Sequence, residues 1–408
     1  MTPGARLAAA SEVLHEILTR KAAADRVLQQ WGKAHRFAGS KDRANIAERV
    51  YAILRRLGEC AAAMGGMEPR ALVIGSLNVV DGLAIEAIEA LCVDGAHALG
   101  PLTTNERQML LKHEPARGPA AHVNCPSWLL PELEQVFGET TSAELDALNE
   151  RAPFDLRVNL LKATREEVLT ELKKSGLPAS PCPFSVTGIR IAAGGNPKIE
   201  TYPCFLEGRV EVQDESSQLA VAFADAKPDD IVVDLAAGGG GKSLALAAAM
   251  QNRGQIFACD VDAARLKHMM PRMARAGDGI IQLSGDPYAD ALPRLFPNGA
   301  DLVFVDAPCS GSGTWRRNPE AKWTLSEETL QRYQDAQVSL LNRAVQLVKP
   351  HGRIVFAVCS LLMREGREQV DAFCARSPGW VMTRHMFLTP LQSGSDGFFA
   401  AELCRRTL

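Results

Sequence analysis

The sequence predicts a multidomain protein: an all-α N-terminal region, then a small α+β module, then an α/β domain. Its 408 residues are too many for one ordinary hydrophobic core. Residues 5 to about 100 carry apolar side chains at helical spacing, whereas short apolar strands alternate with helix-length segments from residue 228 onward. The predicted domains span residues 1–125, 126–215 and 216–408.

Composition limits the class of protein. Hydrophobic residues make up 46% of the chain and charged residues 23%, which is typical of a soluble protein. No stretch approaches the roughly 20 apolar residues of a membrane helix, and Glu12, His15 and Glu16 interrupt any apolar core of a signal peptide. We therefore expect a cytoplasmic protein with no membrane partner. The ten cysteines include no Cys-x-x-Cys pair, which predicts free thiols and no metal site.

Charge is unevenly distributed along the chain. The net charge is −3, but residues 1–60 carry eleven Lys and Arg against six Asp and Glu. This excess allows a basic face on the helical region. A solvated helical surface explains it equally well.

Each predicted element follows from its own pattern. Ile46, Val50, Ile53, Leu54 and Leu57 recur at helical spacing, and residues 112–127 are rich enough in Pro, Gly and His to predict a linker. Strands over 156–160, 189–192 and 210–213 with a helix over 165–175 predict the small module. Strands over 231–235, 255–259, 280–283, 302–305 and 353–358 predict a parallel, doubly wound sheet. Ligands of such sheets lie beyond the carboxyl ends of the strands.

A glycine-rich loop follows the first of these strands and opens a helix; it comprises Ala236, Ala237, Gly238, Gly239, Gly240 and Gly241. Glycine lets the backbone approach a ligand closely. Gly241-Lys242-Ser243 also matches the end of a P-loop, although Ala236 stands where that motif begins with glycine. The strand ending at Asp306 resembles the magnesium-binding strand of the same proteins. These two features leave a P-loop nucleotide hydrolase and a nucleoside-binding enzyme equally open.

Acids at three successive strand ends favour the nucleoside. Asp260 follows the second strand, where an acid accepts hydrogen bonds from ribose hydroxyls. Asp286 follows the third strand and suits an adenine amino group, and Asp306 follows the fourth. A single Asp is more often a turn residue or a helix cap, but the ordered set predicts a nucleoside pocket. S-adenosylmethionine (SAM) contains a nucleoside and no phosphate.

Two cysteines stand beyond neighbouring strands. Cys309 lies in Asp306-Ala-Pro-Cys-Ser310, and Cys359 lies in Phe356-Ala-Val-Cys-Ser360. We expect both thiols in one cleft. A thiolate that adds to carbon 6 of cytosine makes carbon 5 nucleophilic toward a sulfonium methyl. Asp306 suits the exocyclic amine and N3 of the base, and Lys242 supplies positive charge nearby.

Basic residues beside a tryptophan follow the first cysteine loop. Arg316, Arg317, Lys322 and Trp323 suit phosphate contact and base stacking, so they are candidate RNA-binding residues. A solvated surface loop is the alternative.

Over essentially its whole length the chain resembles the Nop/Sun (RsmB) family of RNA cytosine-5 methyltransferases. Asp306-Ala-Pro-Cys-Ser310 and Cys359-Ser360 are the specific signatures. The resemblance implies SAM as cofactor, Cys359 as nucleophile and Cys309 as an aid to product release. It also implies that Asp260, Asp286 and Asp306 line the cofactor and base pocket of a Rossmann-like domain.

The other regions match the same family. Leu156-Arg-Val-Asn159 resembles its small RNA-recognition-like module, and Lys41 through Tyr51 resemble its NusB-like RNA-binding domain. The NusB-like match implies 16S ribosomal RNA as the target. We expect the protein to work as a monomer.

Three departures from the family pattern stand out. Gly239 replaces a proline of the cofactor loop, Val358 replaces the threonine before the nucleophile, and Met363–Gly366 replace Pro-Glu-Glu-Asn. A glycine at 239 predicts a more flexible loop with an ordering cost on cofactor binding. These departures motivate one more alternative, an RNA-binding ribosome-assembly factor whose catalytic site has drifted.

Overall fold

The computed structural model describes residues 1–112, 123–192 and 197–406. They form two compact units, Met1–Glu150 with Thr314–Ser326, and Arg151–Gly313 with Glu327–Leu408. The helices between residues 126 and 150 therefore group with the helical region, and the small module groups with the large sheet. The three predicted domain ranges stay a prediction. The linker expected at 112–127 lies mostly outside the described residues.

The first unit is helical, as its spacing predicts. Its helices up to residue 150 are α1 Pro3–Arg20, α2 Ala24–Ala34, α3 Ser40–Arg55, α4 Leu57–Met64, α5 Pro69–Val79, α6 Ile85–Cys92, α7 Thr104–Lys112, α8 Leu130–Phe137 and α9 Thr141–Asn149. Thr2 caps α1 by accepting a hydrogen bond from Ala5 N, and Lys21 ends the helix in a left-handed conformation. Val13 and Ile17 of α1 pack with Ile46 of α3 in the core.

The second unit contains the predicted α+β module. A sheet of order β2-β3-β1-β4 is built from β1 Phe154–Val158, β2 Ala179–Pro181, β3 Gly188–Ile191 and β4 Val210–Val212. Its pairs are antiparallel. Helix α10, Arg165–Lys174, begins with a capping box between Thr164 and Glu167, and the short α11 is Pro203–Leu206.

A larger sheet completes the second unit, with the order β10-β11-β9-β8-β5-β6-β7. The strands are β5 Ile231–Asp234, β6 Gln255–Cys259, β7 Ile281–Gly285, β8 Ala300–Asp306, β9 Val348–Val358, β10 Trp380–Leu388 and β11 Phe398–Arg405. The helices of this unit that follow α11 are α12 Glu215–Ala224, α13 Gly241–Ala249, α14 Ala263–Lys267, α15 Met270–Ala276, α17 Glu327–Leu347, α18 Arg367–Arg376 and α19 Pro390–Ser393. Helix α16, Pro319–Thr324, belongs to the first unit.

Alternate residues of each strand point to opposite faces of this sheet. Helices cover both faces. Val233 and Phe356 belong to one core cluster with Leu341 of α17, whereas Val232 belongs to the other cluster with Leu246 of α13. Burial on both faces explains why the strands read as continuous apolar runs.

The five strands predicted for this sheet are parallel, but the sheet is mixed because two further strands, which the prediction did not include, lie at one edge. Strands β5 to β9 pair in parallel, but β11 pairs antiparallel with both β9 and β10. Strand β10 ends at Leu388 and β11 begins at Phe398, which is too short a link for a crossover helix. Within the described residues, no helix has the length and apolar character needed to span a membrane.

Candidate active site

The candidate site lies at the carboxyl edge of the large sheet, where the strand order reverses. From β5 the chain moves outward through β6 and β7, then returns to the other side of β5 with β8 and β9. In open α/β sheets, ligands bind in the crevice at such a reversal. Asp234 ends β5 and Asp306 ends β8, so the predicted residues meet at this edge.

The two predicted thiols converge. Cys309 Sγ and Cys359 Sγ lie 3.4 Å apart, and both side chains are half-buried. The hydrogen bond to Cys359, together with burial, holds the pKa of the Cys309 thiol well above its ordinary value. Cys309 therefore stays protonated at neutral pH, and its S–H can point at the sulfur of Cys359.

One buried carboxylate ties the two cysteine loops together. Glu365 is fully buried and accepts hydrogen bonds from Ser310 N at 2.8 Å, from Ser310 Oγ, and from Ser360 Oγ at 2.6 Å. Ser310 follows Cys309 and Ser360 follows Cys359, so Glu365 joins the residues next to both sulfurs. Burial raises the pKa of Glu365.

A second set of bonds joins the same loops. Ser312 Oγ accepts from Leu361 N at 2.8 Å and lies 3.0 Å from Ser360 Oγ, while Gly313 N donates to Cys359 O at 3.1 Å. The neighbouring backbone leaves no room for a side chain at Gly313, because an added Cβ would lie 2.1 Å from Gly397 O. The separation of the thiols is thus fixed by buried contacts on two sides.

A half-buried ion pair stands in the same site. Lys242 Nζ donates to Asp306 Oδ2 at 2.6 Å and lies 5.5 Å from the centre of the Phe398 ring. Burial opposes the charge of Lys242, but the attraction of Asp306 outweighs it, so the pKa of Lys242 is raised. The lysine therefore stays charged and holds one carboxylate oxygen in place.

The glycine-rich loop connects β5 to α13 through two left-handed residues. Gly238 has φ 56° and Gly240 has φ 83°, a region that favours glycine. Gly238 N donates to Asp260 Oδ2 at 2.8 Å, and Asp262 N donates to Asp260 Oδ1 at 2.9 Å. Asp260 thus orients the loop through one oxygen. Oδ2 also lies 3.5 Å from Arg265 Nη1, whereas Oδ1 keeps a second lone pair. The contact of Asp260 with a ribose stays a prediction.

Asp234 is a buried acid directly before this loop. Its Oδ2 accepts from Ser243 Oγ at 2.6 Å, whereas its Oδ1 is buried without a hydrogen-bond partner among the described residues. Burial raises the pKa of Asp234 to about 7. A ligand that brought a hydrogen-bond donor to this point would satisfy that oxygen.

Asp286 lies apart from this cluster of contacts. It is exposed after β7, and its Oδ1 accepts from Tyr288 N at 2.9 Å. This is the Asx turn that a lone Asp often makes. Its contact with adenine stays a prediction.

The candidate RNA-binding residues at 316–323 lie in the first unit. Lys322 is buried, and its Nζ donates to Arg55 O at 3.0 Å and to Asn149 Oδ1 at 2.7 Å. Burial lowers the pKa of Lys322 to about 7. Trp323 Nε1 donates to Leu54 O at 2.8 Å. These contacts disagree with the expected RNA surface, because a buried and bonded ammonium cannot meet a phosphate.

Arg316 fits the same correction, whereas the RNA contact expected of Arg317 stays a prediction. Arg316 is buried and its carbonyl accepts from the Arg55 guanidinium, while Arg317 is half-buried. Spacing in the sequence could not reveal this, since a basic residue beside tryptophan has the same appearance in a loop and in a packed helix.

Sequence reasoning missed Glu365 and the serines it joins. The repeat of serine after each cysteine was the available signal, but an acid five residues after Ser360 has no motif that pairs it with Ser310. The sequence does not single out Phe398 either, because its place beside Lys242 depends on the antiparallel pairing of β11 with β9.

The sheet order, the glycine-rich loop and the acids after β5, β6 and β8 together define a Rossmann-like methyltransferase fold. Comparison with known families agrees. Residues 221–404 match the family described as 16S rRNA methyltransferase RsmB/F, and residues 125–196 match the ferredoxin-like domain of RsmF/B-like methyltransferases.

Two curated relatives are named ribosomal RNA small subunit methyltransferase B. The ribosomal RNA small subunit methyltransferase B of Photorhabdus laumondii subsp. laumondii is 31% identical over 317 residues, which cover 75% of this chain and 72% of that protein. The protein of that name from Shewanella oneidensis is 29% identical over 410 residues, covering 91% of this chain and 92% of that one. The chain belongs to the RsmB/F family and is an RsmB-type member of the Nop/Sun group.

Solved structures share the fold. The crystal structure of PH0851 has a TM-score of 0.78 at 26% identity and covers 99% of each chain. NSun6 from Pyrococcus horikoshii, solved with SFG, has a TM-score of 0.62 at 19% identity and covers 69% of this chain and 99% of that one. The second similarity bears on the fold alone.

Proposed function

We propose that this protein transfers the methyl group of SAM to carbon 5 of a cytosine in 16S ribosomal RNA, through a transient covalent bond to Cys359. The observation that carries the proposal is the pair of thiols 3.4 Å apart, beside the ion pair of Lys242 and Asp306. The names of the relatives support small-subunit rRNA as the substrate. Such a substrate would place the protein in the cytoplasm.

The proposed reaction begins with attack by sulfur. The Cys359 thiolate adds to carbon 6, and the electron pair of the 5,6 double bond moves so that carbon 5 becomes nucleophilic. SAM supplies an electrophilic methyl group when bound. After carbon 5 takes the methyl, it loses its proton to a base, the double bond re-forms, and the Cys359 thiolate leaves. The product differs from the substrate only by methyl in place of hydrogen.

Asp306 and Lys242 would hold the base during the attack. Asp306 Oδ2 is occupied by Lys242, which leaves Oδ1 to accept from the exocyclic amine of cytosine. The charge of Lys242 offsets negative charge that develops on the ring as sulfur adds. Cys309 is assigned to the departure of Cys359, because it stays protonated and is in contact with that sulfur.

The residues of the glycine-rich loop fit SAM. The buried Asp234 Oδ1 offers an acceptor to the ammonium of its amino-acid part, and the loop backbone carries no side chains that would block approach. Asp260 would accept from the ribose hydroxyls. The family description and the curated relatives name methyltransferases, which supports a methyl donor such as SAM as the cofactor.

The helical unit is proposed to act as a NusB-like RNA-binding domain. Residues 20–43 carry seven Lys and Arg against two Asp and Glu, which accounts for the whole excess of the opening region. Trp31 and His35 stack at 4.3 Å between ring centres, and His35 meets Phe37 edge-on. Phe37 is 73% exposed, so its ring is open to a base.

Three basic residues lie close to these aromatic residues in the sequence. Lys33, Arg36 and Lys41 are exposed and have no acidic partner in the part of the chain that the structure describes. We call Trp31, His35 and Phe37, with these three cations, the basic–aromatic patch. We assign to this patch the RNA contact that the burial of Arg316 and Lys322 denies to those two residues.

Bisulfite sequencing of 16S rRNA tests the proposal. RNA from a strain that lacks the gene should lose one methylated cytosine, and the wild-type gene should restore it, whereas Cys359→Ala should not. If no cytosine changes, the catalytically drifted assembly factor is the better account. Calorimetry with SAM and with ATP tests the P-loop hydrolase, which survives only if ATP binds and SAM does not.

A further inference from the structure

The glycine-rich loop needs a restraint from outside itself. Gly238 to Gly241 are four consecutive glycines, and glycine loses more conformational freedom on ordering than any other residue. Gly239, at the centre, carries no side chain that could anchor it. A loop of this composition would otherwise sample many conformations in which a ligand cannot bind.

Arg272 of α15 supplies such a restraint. Its Nη1 donates to Gly239 O at 2.5 Å, while its Nη2 and Nε donate to Glu211 Oε2 at 3.0 and 3.2 Å. Glu211 belongs to β4 of the small sheet and is almost fully buried. One guanidinium therefore bridges a fixed carboxylate and the middle of the loop.

The packing around this bridge is close. Gly240 lies over Met269, so that an added Cβ would approach Met269 Cγ to 2.3 Å. Arg157, which faces Glu211 across the β1–β4 pair, is buried and donates to Gln213 Oε1 at 2.7 Å. Both ends of the bridge are thus held by buried neighbours.

We propose that Arg272, held by Glu211, is a positioning residue that pins the glycine-rich loop in the conformation that receives SAM. The identity of the ligand rests on the proposed function, whereas the pinning itself does not. The bridge takes over the restriction that a proline at position 239 would provide. Through Glu211, the small sheet also contributes to the ordering of the cofactor loop.

Arg275 offers a matched control. It lies on the same helix, donates to the same carboxylate through Nη2, and stacks over Phe205. Among the described residues it makes no hydrogen bond to the loop. Arg275→Met therefore removes the same charge and one bond to Glu211, but leaves Gly239 O bonded.

Two measurements on the full-length protein test the proposal. The first is hydrogen exchange of the loop amides without ligand, read by mass spectrometry on peptides that cover residues 234–243. The second is calorimetry with SAM. Arg272→Met should speed loop exchange and weaken SAM binding about ten- to a hundredfold, the loss expected for one charge-assisted hydrogen bond. Arg275→Met should change neither, and Arg272→Lys, which keeps the charge but not the fork, should resemble Arg272→Met.

A rescue variant keeps the test sharp. Gly239 has a φ outside the left-handed region, and its N–H donates no hydrogen bond within the described residues. Gly239→Pro should therefore fit, and in the Arg272→Met background it should restore most of the affinity for SAM.

The outcomes separate this proposal from the proposed function. Unchanged loop exchange in Arg272→Met overturns the pinning, whatever SAM does. Faster exchange with unchanged SAM affinity overturns its link to the cofactor. Faster exchange in a protein whose wild-type form binds no SAM supports the pinning and overturns the proposed cofactor. Circular dichroism of each variant shows that it is folded.

Discussion

Replacing Glu365 with glutamine should slow methyl transfer far more than it destabilises the protein. The carboxylate joins Ser310 to Ser360 and thereby sets the 3.4 Å between the two sulfurs. Glutamine keeps one acceptor oxygen, which can still bond Ser310 N. Its amide nitrogen then faces the hydroxyls that now donate to Oε2, so both hydroxyls must turn or separate.

Two opposing terms decide the stability of Glu365→Gln. Each hydrogen bond to an ionised group contributes about 1.5–3 kcal/mol, and the hydroxyl bonds to Oε2 lose that charge assistance. Burial of the negative charge is itself costly, as the raised pKa indicates, and glutamine removes that cost. We therefore expect the free energy of unfolding at neutral pH to change by only about 1–2 kcal/mol.

The effect on catalysis is larger. A displacement of about 1 Å between reacting groups costs on the order of a hundredfold in rate, so kcat should fall about 10- to 100-fold. The Michaelis constant for SAM should stay near the wild-type value, because Glu365 does not belong to the glycine-rich loop. Formation of a Cys309–Cys359 disulfide with diamide, read as the loss of two hydrogens by intact mass, should slow in parallel.

The pH dependence of stability supplies an independent check. The pKa of Glu365 is raised in the folded protein, so its contribution to stability is present at low pH and is lost as pH rises through the folded value. The unfolding free energy of the wild type, relative to Glu365→Gln, should therefore fall as pH increases. Glu402→Gln is the control, since Glu402 is a partly buried acid of the same sheet that bonds Thr383 and Arg384. A wild-type kcat in Glu365→Gln would show that this carboxylate does not set the separation of the two sulfurs for catalysis.

Three other predictions follow from particular contacts. Gly313→Ala should lower the free energy of unfolding by about 2–3 kcal/mol in urea titrations, because its Cβ meets Gly397 O; an unchanged midpoint would contradict this. The free energy of unfolding of the wild type should fall by up to about 4 kcal/mol relative to that of Asp234→Asn as pH rises from 3.8 to about 7. Burial raises the pKa of Asp234, so the stability that its proton contributes is lost as pH rises through that value. Parallel stability curves for the two proteins would show that Asp234 does not titrate in this range. Replacing Lys33, Arg36 and Lys41 with alanine should weaken RNA binding and reduce the slope of log K against log salt by about 0.7 for each lost phosphate contact; an unchanged slope would remove the basic–aromatic patch from the interface.

The sequence predicts the site residues that directly follow strands better than it predicts contacts between distant segments. The acids and cysteines come directly after apolar runs, and the ends of parallel strands meet at one edge, so their convergence follows from topology. The antiparallel edge was missed because strand β10 has no alternation that marks its partner. Its pairing depends on the short link to β11 rather than on its own residues.

Contacts between distant segments could not be predicted in this way. Glu365 meets Ser310 across 55 positions of the chain, and Arg272 meets Glu211 across 61. Each residue alone resembles an ordinary surface charge. Lys322 shows the opposite error, since a basic residue beside tryptophan suggested an RNA surface whereas helix packing buries it.

In the proposed mechanism Cys359 bonds to the target base, and Cys309 is needed for its release. The most direct test mixes Cys309→Ala with SAM and unmethylated 16S rRNA, and then measures protein–RNA species by mass spectrometry under denaturing conditions. We expect a covalent adduct through Cys359 that carries a methylated cytosine and is absent from the Cys309→Ala/Cys359→Ala double variant. Normal turnover by Cys359→Ala, or an adduct that persists in the double variant, would contradict it.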